Sequence, residues 1–233
     1  MPISYVGAGS AVQTVTTTLT IAGHASSLPN DIHIAHIISI NNTAISAPDA
    51  TWFEISQSNF TGSRGAIFWK RVTTAGAGSY GFTVAGTTTS YGIVTAHRGC
   101  KVNGRPYGAV TTSSNASADN ITYATLVPHS NSGSLLAVGF YAEDLTTGGT
   151  VSGAVYTFAA PTVDTENATN EDASIMVSIA PMTTNAATGA LTQSTTSTAD
   201  AVNQGILIDL MSAETEVGGG AGGVTYPRIQ RIR

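Results

Sequence analysis

The chain has 233 residues and a net charge of −5 at pH 7, and charged side chains occupy only 10% of its positions, against about 25% in typical soluble domains. Nine lysines and arginines without a concentrated basic face argue against a nucleic-acid-binding protein. A single cysteine excludes a disulfide framework within the chain, and no apolar run approaches the ~18 residues of a membrane span.

Short segments of alternating apolar and polar residues recur along the chain, with turn signals between them. In chain order they are TTTLTIAG, DIHIAHIISI, TWFEIS, GAIFWKRV, SYGFTVAG, YGIVTAHRG, NITYATL, SLLAVGFYA, SGAVYTFAA, ASIMVSIA and QGILIDLM. SAPD, AGAG, VNGRPYG and TTGGT are typical of turns, and TQSTTSTAD fits a polar loop or an edge strand. No helical periodicity and no internal repeat is clear. The pattern predicts an all-β fold, an antiparallel β-sandwich or jelly roll of roughly ten to twelve strands.

The end of the chain differs in composition from the rest. We predict a β-sandwich domain over residues 1–217, a glycine-rich linker at 218–223 (GGGAGG) and a C-terminal arm at 224–233. Apolar anchors and arginines in the arm are expected to bind a partner protein; the alternative is a tail without a partner. The predicted partner-binding residues are Tyr226, Arg228, Ile229, Arg231, Ile232 and Arg233.

The stretch GIVTAHRGC places His97, Arg98 and Cys100 within four positions. A cysteine nucleophile needs a nearby base and a third group that orients the base, and no motif supplies that third group. Residues 97 and 98 should leave opposite faces of a strand, which gives both a structural role. We therefore predict no catalytic residue and no enzymatic activity.

Metal and cofactor sites have little support in the sequence. His33 and His36 lie three positions apart on a predicted strand, so they face opposite sides and cannot hold one metal ion. His36 is instead expected to be a hydrogen-bonded core histidine on a face rich in isoleucine. The loop at 164–172 (DTENATNED) is expected to be a solvated acidic turn, with a calcium site as the open alternative. Glu143 and Asp144 are predicted to be turn residues rather than a carboxylate pair that hydrolyses sugars.

A sugar-binding surface would need exposed aromatic side chains. Trp52, Phe68 and Trp69 are the candidates. Alternation in GAIFWKRV places Trp69 on the same face as Ile67, and Phe68 with Lys70. We therefore expect Trp69 to pack inside the protein.

The segments APDATWFEI, AIFWKRV and SYGFTVAGTTTSYGIVTAHRG follow one another in an order that resembles a β-sandwich family of tailed bacteriophages and prophages. In that family a GW-x-L strand precedes Y-x-R-V-A, Y-x-F-x-x-S/A-G and A-Y-R-G strands, and ISYVGAGSA resembles its start. The resemblance covers about half the chain. Ala50 and Thr51 stand where glycine usually precedes the tryptophan, and His97 where tyrosine is usual. The family offers no catalytic residues to carry over.

The resemblance implies a structural role in the virion, as capsid decoration or cement protein, or as a tail, baseplate or fibre component. The expected partners are major capsid or tail proteins and further copies of the chain, without nucleic acid, membrane or cofactor. MPISYVGAGS lacks the features of a signal peptide, so we expect synthesis in the host bacterial cytoplasm and a final location in the virion. The alternative is a carbohydrate- or receptor-binding module of a phage fibre or surface protein.

Overall fold

The computed structural model describes residues 3–115, 120–142, 147–156, 158, 163–166, 173–196 and 202–213, and within them the chain contains strands and no helix. All pairings between strands are antiparallel, which confirms the predicted fold class. The strands of the described residues number seventeen rather than ten to twelve: β1 (Ser4–Ala8), β2 (Val12–Thr14), β3 (Thr18–Ala22), β4 (Ile32–Ile40), β5 (Ile45–Ser46), β6 (Phe53–Phe60), β7 (Ser63–Arg71), β8 (Ser79–Val84), β9 (Ser90–Arg98), β10 (Tyr107–Asn115), β11 (Ile121–Tyr123), β12 (Ser134–Tyr141), β13 (Thr147–Ser152), β14 (Val163–Glu166), β15 (Ser174–Pro181), β16 (Leu191–Thr196) and β17 (Asn203–Leu210).

Four antiparallel sheets contain these strands. The first inner sheet has the order β1-β9-β4-β7-β6, with β2 pairing to the other end of β9, and the second inner sheet has the order β10-β17-β12-β15-β14. The first outer sheet is β3-β8-β5, and the second outer sheet is β11-β16-β13. Hydrophobic clusters fill the three spaces between successive sheets. The chain therefore forms a stack of four sheets, and the two inner sheets share a central layer.

Strand β4 shows why the inner sheets are stable in this position. Ile32, Ile34 and Ile38 face the central layer, as the sequence predicts, while Ala35 and Ile37 face the first outer sheet. Both faces of the strand are thus buried, so the side chains of both faces remove apolar surface from water. Each fully buried isoleucine contributes about 1.5–3 kcal/mol.

The same strand order occurs twice along the chain. β1, β9, β4, β7 and β6 correspond to β10, β17, β12, β15 and β14, and β3, β8 and β5 correspond to β11, β16 and β13. When the first residues of β4 and β12 are aligned, Ile37 corresponds to Gly139. Ile37 pairs with Gly92 of β9 and Gly139 pairs with Gly205 of β17, so the two glycines occupy corresponding positions. The two halves of the chain therefore repeat one topology, although their residues show no clear repeat.

Both corresponding glycines sit where an outer sheet comes close to an inner one. A Cβ atom at Gly92 would lie 2.6 Å from Ile21 Cδ1 and 2.9 Å from Leu19 Cδ2. A Cβ atom at Gly205 would lie 2.7 Å from Ile121 Cγ2 and 2.8 Å from the Tyr123 ring. Such contacts are too short for any side chain, so the packing requires glycine in both strands.

Predictions for four individual segments are wrong in the described residues. SGAVYTFAA forms no strand at 153–156 or at 158; its aromatic side chains Tyr156 and Phe158 are buried by a turn instead. TTGGT lies largely in strand β13, and the first five residues of TQSTTSTAD lie in β16, the middle strand of its sheet. Asp164 and Glu166 lie in strand β14 rather than in an acidic turn.

The predicted linker and the predicted arm lie outside the described residues. The division into a domain at 1–217, a linker and an arm therefore stays a prediction. Within the described part of the chain, no helix is long and apolar enough to span a membrane.

Candidate assembly site at the junction of the two halves

The HRGC corner is held in place by the inner sheet, as predicted. His97 is fully buried on the face of β9 that meets the central layer, and Arg98 leaves the opposite face to bind Asp31. Cys100 is 2% exposed and bridges to Ser212 through the backbone. Burial raises the pKa of the Cys100 thiol to about 12, so the sulfur stays protonated and weakly nucleophilic at neutral pH.

Two histidines and a threonine form a polar row in the central layer. Thr95 Oγ1 lies 2.9 Å from His36 Nε2 and 2.9 Å from His97 Nε2, which confirms His36 as a hydrogen-bonded core histidine. The Nδ1 atoms of both histidines are buried without a hydrogen-bond partner among the described residues. His33 faces the other way, as predicted, and its Nδ1 lies 3.0 Å from the Tyr80 hydroxyl.

Burial lowers the pKa of each of these histidines, because a charged imidazole loses its hydration in the core. The pKa of His36 falls to about 3, and those of His33 and His97 fall to about 4. All three are therefore neutral at physiological pH. They act as hydrogen-bonding members of the core rather than as bases reachable from solvent.

A groove of about 320 Å³ opens beside this corner, at the end of β9. Its walls are mainly apolar, and two of the side chains that line it, Leu28 and Val102, are 48% and 47% exposed. Asp31 fixes one wall, because its carboxylate accepts hydrogen bonds from Arg98 Nε at 2.9 Å, from Arg98 Nη2 at 2.7 Å and from the Leu28 amide at 2.8 Å. Ala213, the last described residue, also lines the groove.

The groove lies where the two halves of the chain meet. The Lys101 amide donates to the Met211 carbonyl at 2.7 Å, and the Ala213 amide donates to the Gly99 carbonyl at 2.9 Å. The end of the first half is thus paired with the end of the second half. We call this surface the junction groove; it is lined by Leu28, Pro29, Arg98, Cys100, Val102 and Ala213.

Basic residues occur in the segments next to the junction groove. Arg71 Nη2 donates to the carbonyls of Lys101 and Gly104, at 2.7 and 3.3 Å, so it lies beside the segment that also carries Arg98 and Arg105. Arg98 lines the groove itself, and Lys101 lies in the chain between the lining residues Cys100 and Val102. Sequence reasoning missed this surface, although Arg98, Lys101 and Arg105 fall within positions 98–105.

The aromatic residues considered for a sugar-binding surface are mostly buried in the fold. Trp52 is 4% and Trp69 7% exposed, which confirms that Trp69 packs inside, and Phe68 is buried as well. Phe53 is 51% exposed and stacks on Trp69 with ring centroids 5.1 Å apart. A second cleft, of about 250 Å³, lies between Lys70, Tyr80 and the loop at 73–78.

The remaining predicted site residues lie outside the described part of the chain. They are the arm residues Tyr226, Arg228, Ile229, Arg231, Ile232 and Arg233, together with Glu143, Asp144 and residues 167–172 of the acidic loop. Among the described residues, no group of three His, Cys, Asp or Glu side chains lies close enough to hold a metal ion.

Comparison of the chain with protein-family models, with curated proteins and with solved structures finds no match in any of the three. The function is therefore argued from the surface that the fold builds, since a fold alone does not specify an activity.

Proposed function

We propose that the chain is a non-enzymatic structural protein of a bacteriophage virion, acting as a capsid decoration or cement protein or as a tail or baseplate component. The observation that carries the proposal is the junction groove, where the exposed apolar side chains of Leu28 and Val102 lie with Arg98 in one groove. Exposed apolar patches on a surface with few charged residues are typical of protein–protein contact sites. The resemblance of residues 52–99 to a phage β-sandwich family supports the same reading.

Each half is further proposed to be a jelly roll, a fold used by viral capsid and lectin domains. The support is the strand order, in which the chain crosses repeatedly between an inner and an outer sheet. β1, β9, β4 and β7 are neighbours in one sheet and β3, β8 and β5 in the other, and the second half repeats this order. Closed sandwiches of this kind cover most strand edges, which suits a protein exposed on a particle.

The C-terminal arm is the second element of the proposal. The described chain ends at Ala213 in the wall of the junction groove, and the glycine-rich segment and the arm follow it. Tyr226, Ile229 and Ile232 offer apolar anchors, and Arg228, Arg231 and Arg233 offer rim contacts to a neighbouring virion protein. Repeated weak contacts on a symmetric particle add through avidity.

The proposal is tested on purified phage particles. Mass spectrometry should find the full-length chain as a multi-copy component of the particle. A double variant with Ile229→Ala and Ile232→Ala should be incorporated into the particle about tenfold less than the parent chain. The control variant Val15→Ala, at an exposed position, should be incorporated as well as the parent. Hydrogen exchange of the arm should be slower in the particle than in the free protein. Particles that lack the chain would refute the virion role, and an arm that exchanges equally in both samples would refute the arm contact.

A glycan-binding module is the second candidate. It is favoured by one observation, the exposed Phe53 ring stacked on Trp69. The two tryptophans themselves are buried and offer no platform for a sugar ring. A glycan array with the parent chain and Phe53→Ala tests it: binding lost in the variant supports the module, and an empty array removes it.

A further inference from the structure

We propose that the cleft between Lys70, Tyr80 and the loop at 73–78 binds a small ligand through a carboxylate or phosphate group of that ligand. This site goes beyond the proposed structural role, which requires no small ligand. Three features of the cleft support it: an ammonium group without an acidic partner, an aromatic ring fixed beside that group, and a loop of small residues that offers hydrogen-bond donors.

Lys70 brings to the cleft a positive charge that no acidic side chain of the described residues pairs with. Its ammonium lies 5.2 Å from the centre of the Tyr80 ring, a contact that uses none of its three hydrogen-bond donors. Asp49 is near enough for its charge to act on Tyr80, but its carboxylate accepts a hydrogen bond from the Thr51 amide at 2.7 Å. An anion in the cleft would therefore gain a charge-assisted hydrogen bond from the ammonium.

Tyr80 is held in one orientation by a chain of hydrogen bonds. Ser27 Oγ donates its single proton to the His24 carbonyl at 2.8 Å, so His33 Nε2, 2.7 Å away, donates to that hydroxyl oxygen. Because burial lowers the pKa of His33 to about 4, the ring is neutral and its Nδ1 accepts the proton of the Tyr80 hydroxyl at 3.0 Å. Trp52 packs edge-on against the Tyr80 ring, with centroids 4.8 Å apart. This wall of the cleft is therefore fixed before any ligand binds, which lowers the entropic cost of binding.

The loop at 73–78 forms the other wall from small side chains and backbone. Its sequence is TTAGAG, so no side chain is larger than threonine, and both threonines are exposed. The Gly76 amide donates to the Ser27 carbonyl at 2.9 Å, and the Gly78 carbonyl accepts from the Gly23 amide at 2.8 Å, which anchors the loop. The amides of the two threonines and the two alanines have no acceptor among the described residues. The loop thus offers amides and hydroxyls as donors to an anion.

The second half of the chain shows that the fold does not need these polar groups. Its residues at the positions that correspond to Lys70, His33 and Tyr80 are all buried and apolar: Ala180, Leu135 and Leu191. The first two correspondences follow when the first residues of β4 and β12 are aligned. The third follows because Ile21 and Tyr123, the partners of Tyr80 and Leu191, lie equally far before those strands. An apolar cluster therefore suffices for this topology, so the polar set of the first half is not explained by folding alone.

The size and polarity of the cleft limit the ligand. Its volume of about 250 Å³ lies below the ~300–1,000 Å³ of sites for drug-sized molecules, which suits a ligand of monosaccharide size or smaller. A cation would be repelled by Lys70, and an apolar ligand would leave the ammonium and the loop amides without acceptors. Two sources supply the required chemistry, namely the carboxylate of an acidic sugar and a phosphate group.

Chemical-shift mapping of the ¹⁵N-labelled full-length chain tests the site. Glucuronate and inorganic phosphate are titrated separately to about 20 mM, with glucose as the uncharged control. We expect saturable shifts of the amides at 73–78 with at least one anion, half-saturated at roughly 1 mM, and at least tenfold weaker binding of glucose. Tighter binding of glucuronate identifies an acidic sugar as the ligand, and tighter binding of phosphate identifies a phosphate group.

The two lysines of the chain provide a matched pair of variants. Lys70→Gln should weaken binding of the anion at least tenfold, whereas Lys70→Arg keeps the charge and should stay within about threefold of the parent. Lys101→Gln is the control, since Lys101 is the other lysine and lies outside the cleft. It should bind as the parent does. Amide shifts away from the loop report whether each variant keeps the fold.

Saturable shifts that are lost with Lys70→Gln and kept with Lys101→Gln support the proposal. It is overturned if neither anion gives saturable shifts at the loop, if glucose binds as tightly as the anions, or if both glutamine variants weaken binding equally. Should Lys70→Gln not fold, the parent decides: raising the salt from about 0.05 to about 0.5 M must weaken anion binding at least fivefold, and an unchanged affinity overturns the site. None of these outcomes bears on the virion role, which is decided by mass spectrometry of purified particles.

Discussion

The buried histidines predict that the free energy of unfolding falls steeply in mild acid. His33, His36 and His97 are neutral in the folded protein because burial lowers their pKa values to about 4, 3 and 4. In the unfolded chain an ordinary histidine has a pKa near 6.5. Below that value the unfolded state binds more protons than the folded state, so stability is full above pH ~6.5 and is lost as pH falls toward the folded pKa values.

The magnitude follows from these values. Between pH ~7 and pH ~5 each of the three histidines costs about 2 kcal/mol, so together they cost about 6 kcal/mol. Domains are typically stable by about 5–15 kcal/mol, so the loss is a large share of the total. The pKa of Asp31 is lowered, which places its titration below this window. Burial raises the pKa of Asp209, and that shift opposes the histidines in part.

Urea unfolding at several pH values, followed by the fluorescence of the two buried tryptophans, measures this effect. The sharpest variant is His97→Leu, since the corresponding position of the second half is Leu210, also in the central layer. It should reduce the loss between pH ~7 and pH ~5 by about 2 kcal/mol. Thr95→Val is the control: it removes the hydroxyl that both histidines contact, lowers stability at every pH and leaves the three titrating groups in place.

Two results would refute the reasoning. One is a parent chain whose free energy of unfolding changes by less than about 1 kcal/mol across the window. The other is a His97→Leu variant that keeps the full parental dependence on pH. Either result would mean that these imidazoles are solvated or charged in the folded protein.

Three further predictions concern the packing. Gly92→Ala and Gly205→Ala should each destabilise the chain by about 1–3 kcal/mol in urea unfolding, whereas Gly81→Ala, whose Cβ would approach Thr18 no closer than 3.4 Å, should stay within about 0.5 kcal/mol; equal effects at all three sites would contradict the close approach of the sheets. Cys100 should react with a thiol reagent only after denaturation, and rapid labelling of the native chain would show that the corner opens. Both tryptophans should resist quenching by iodide in the native state, and ready quenching would restore a role for them at the surface.

Strand positions were the part of the fold that the sequence predicted best, because alternation and turn chemistry are local. The segment DIHIAHIISI became β4 with the predicted isoleucine face, and YGIVTAHRG became β9 with His97 and Arg98 on opposite faces. The face assignment of Trp69 also followed from alternation alone. Short strands such as β2 and β5 carry too few residues to show a period.

The number of layers was not predictable in the same way. Alternation suggests one buried and one exposed face, whereas both faces of β4 and β12 are buried. The polar side chain of His33 lies on this second face, where it is buried and contacts Tyr80, a residue 47 positions away in the chain. In SGAVYTFAA the aromatic side chains of Tyr156 and Phe158 are buried although the segment forms a turn there rather than a strand.

The junction groove depends on pairings that no local pattern contains. Its walls come from residues near 30, 100 and 213, which the pairing of residues 99–101 with 211–213 brings together. The cluster of basic residues between positions 98 and 105 was visible in the sequence, but its apolar neighbour Leu28 was not connected to it. Long-range topology, rather than any motif, therefore builds the candidate site.

The four-sheet stack also explains why so few residues are charged. Strands β4 and β12 are buried on both faces and carry no Lys, Arg, Asp or Glu. Asp31, which directly precedes β4, is a buried charge that needs a partner, and Arg98 provides it.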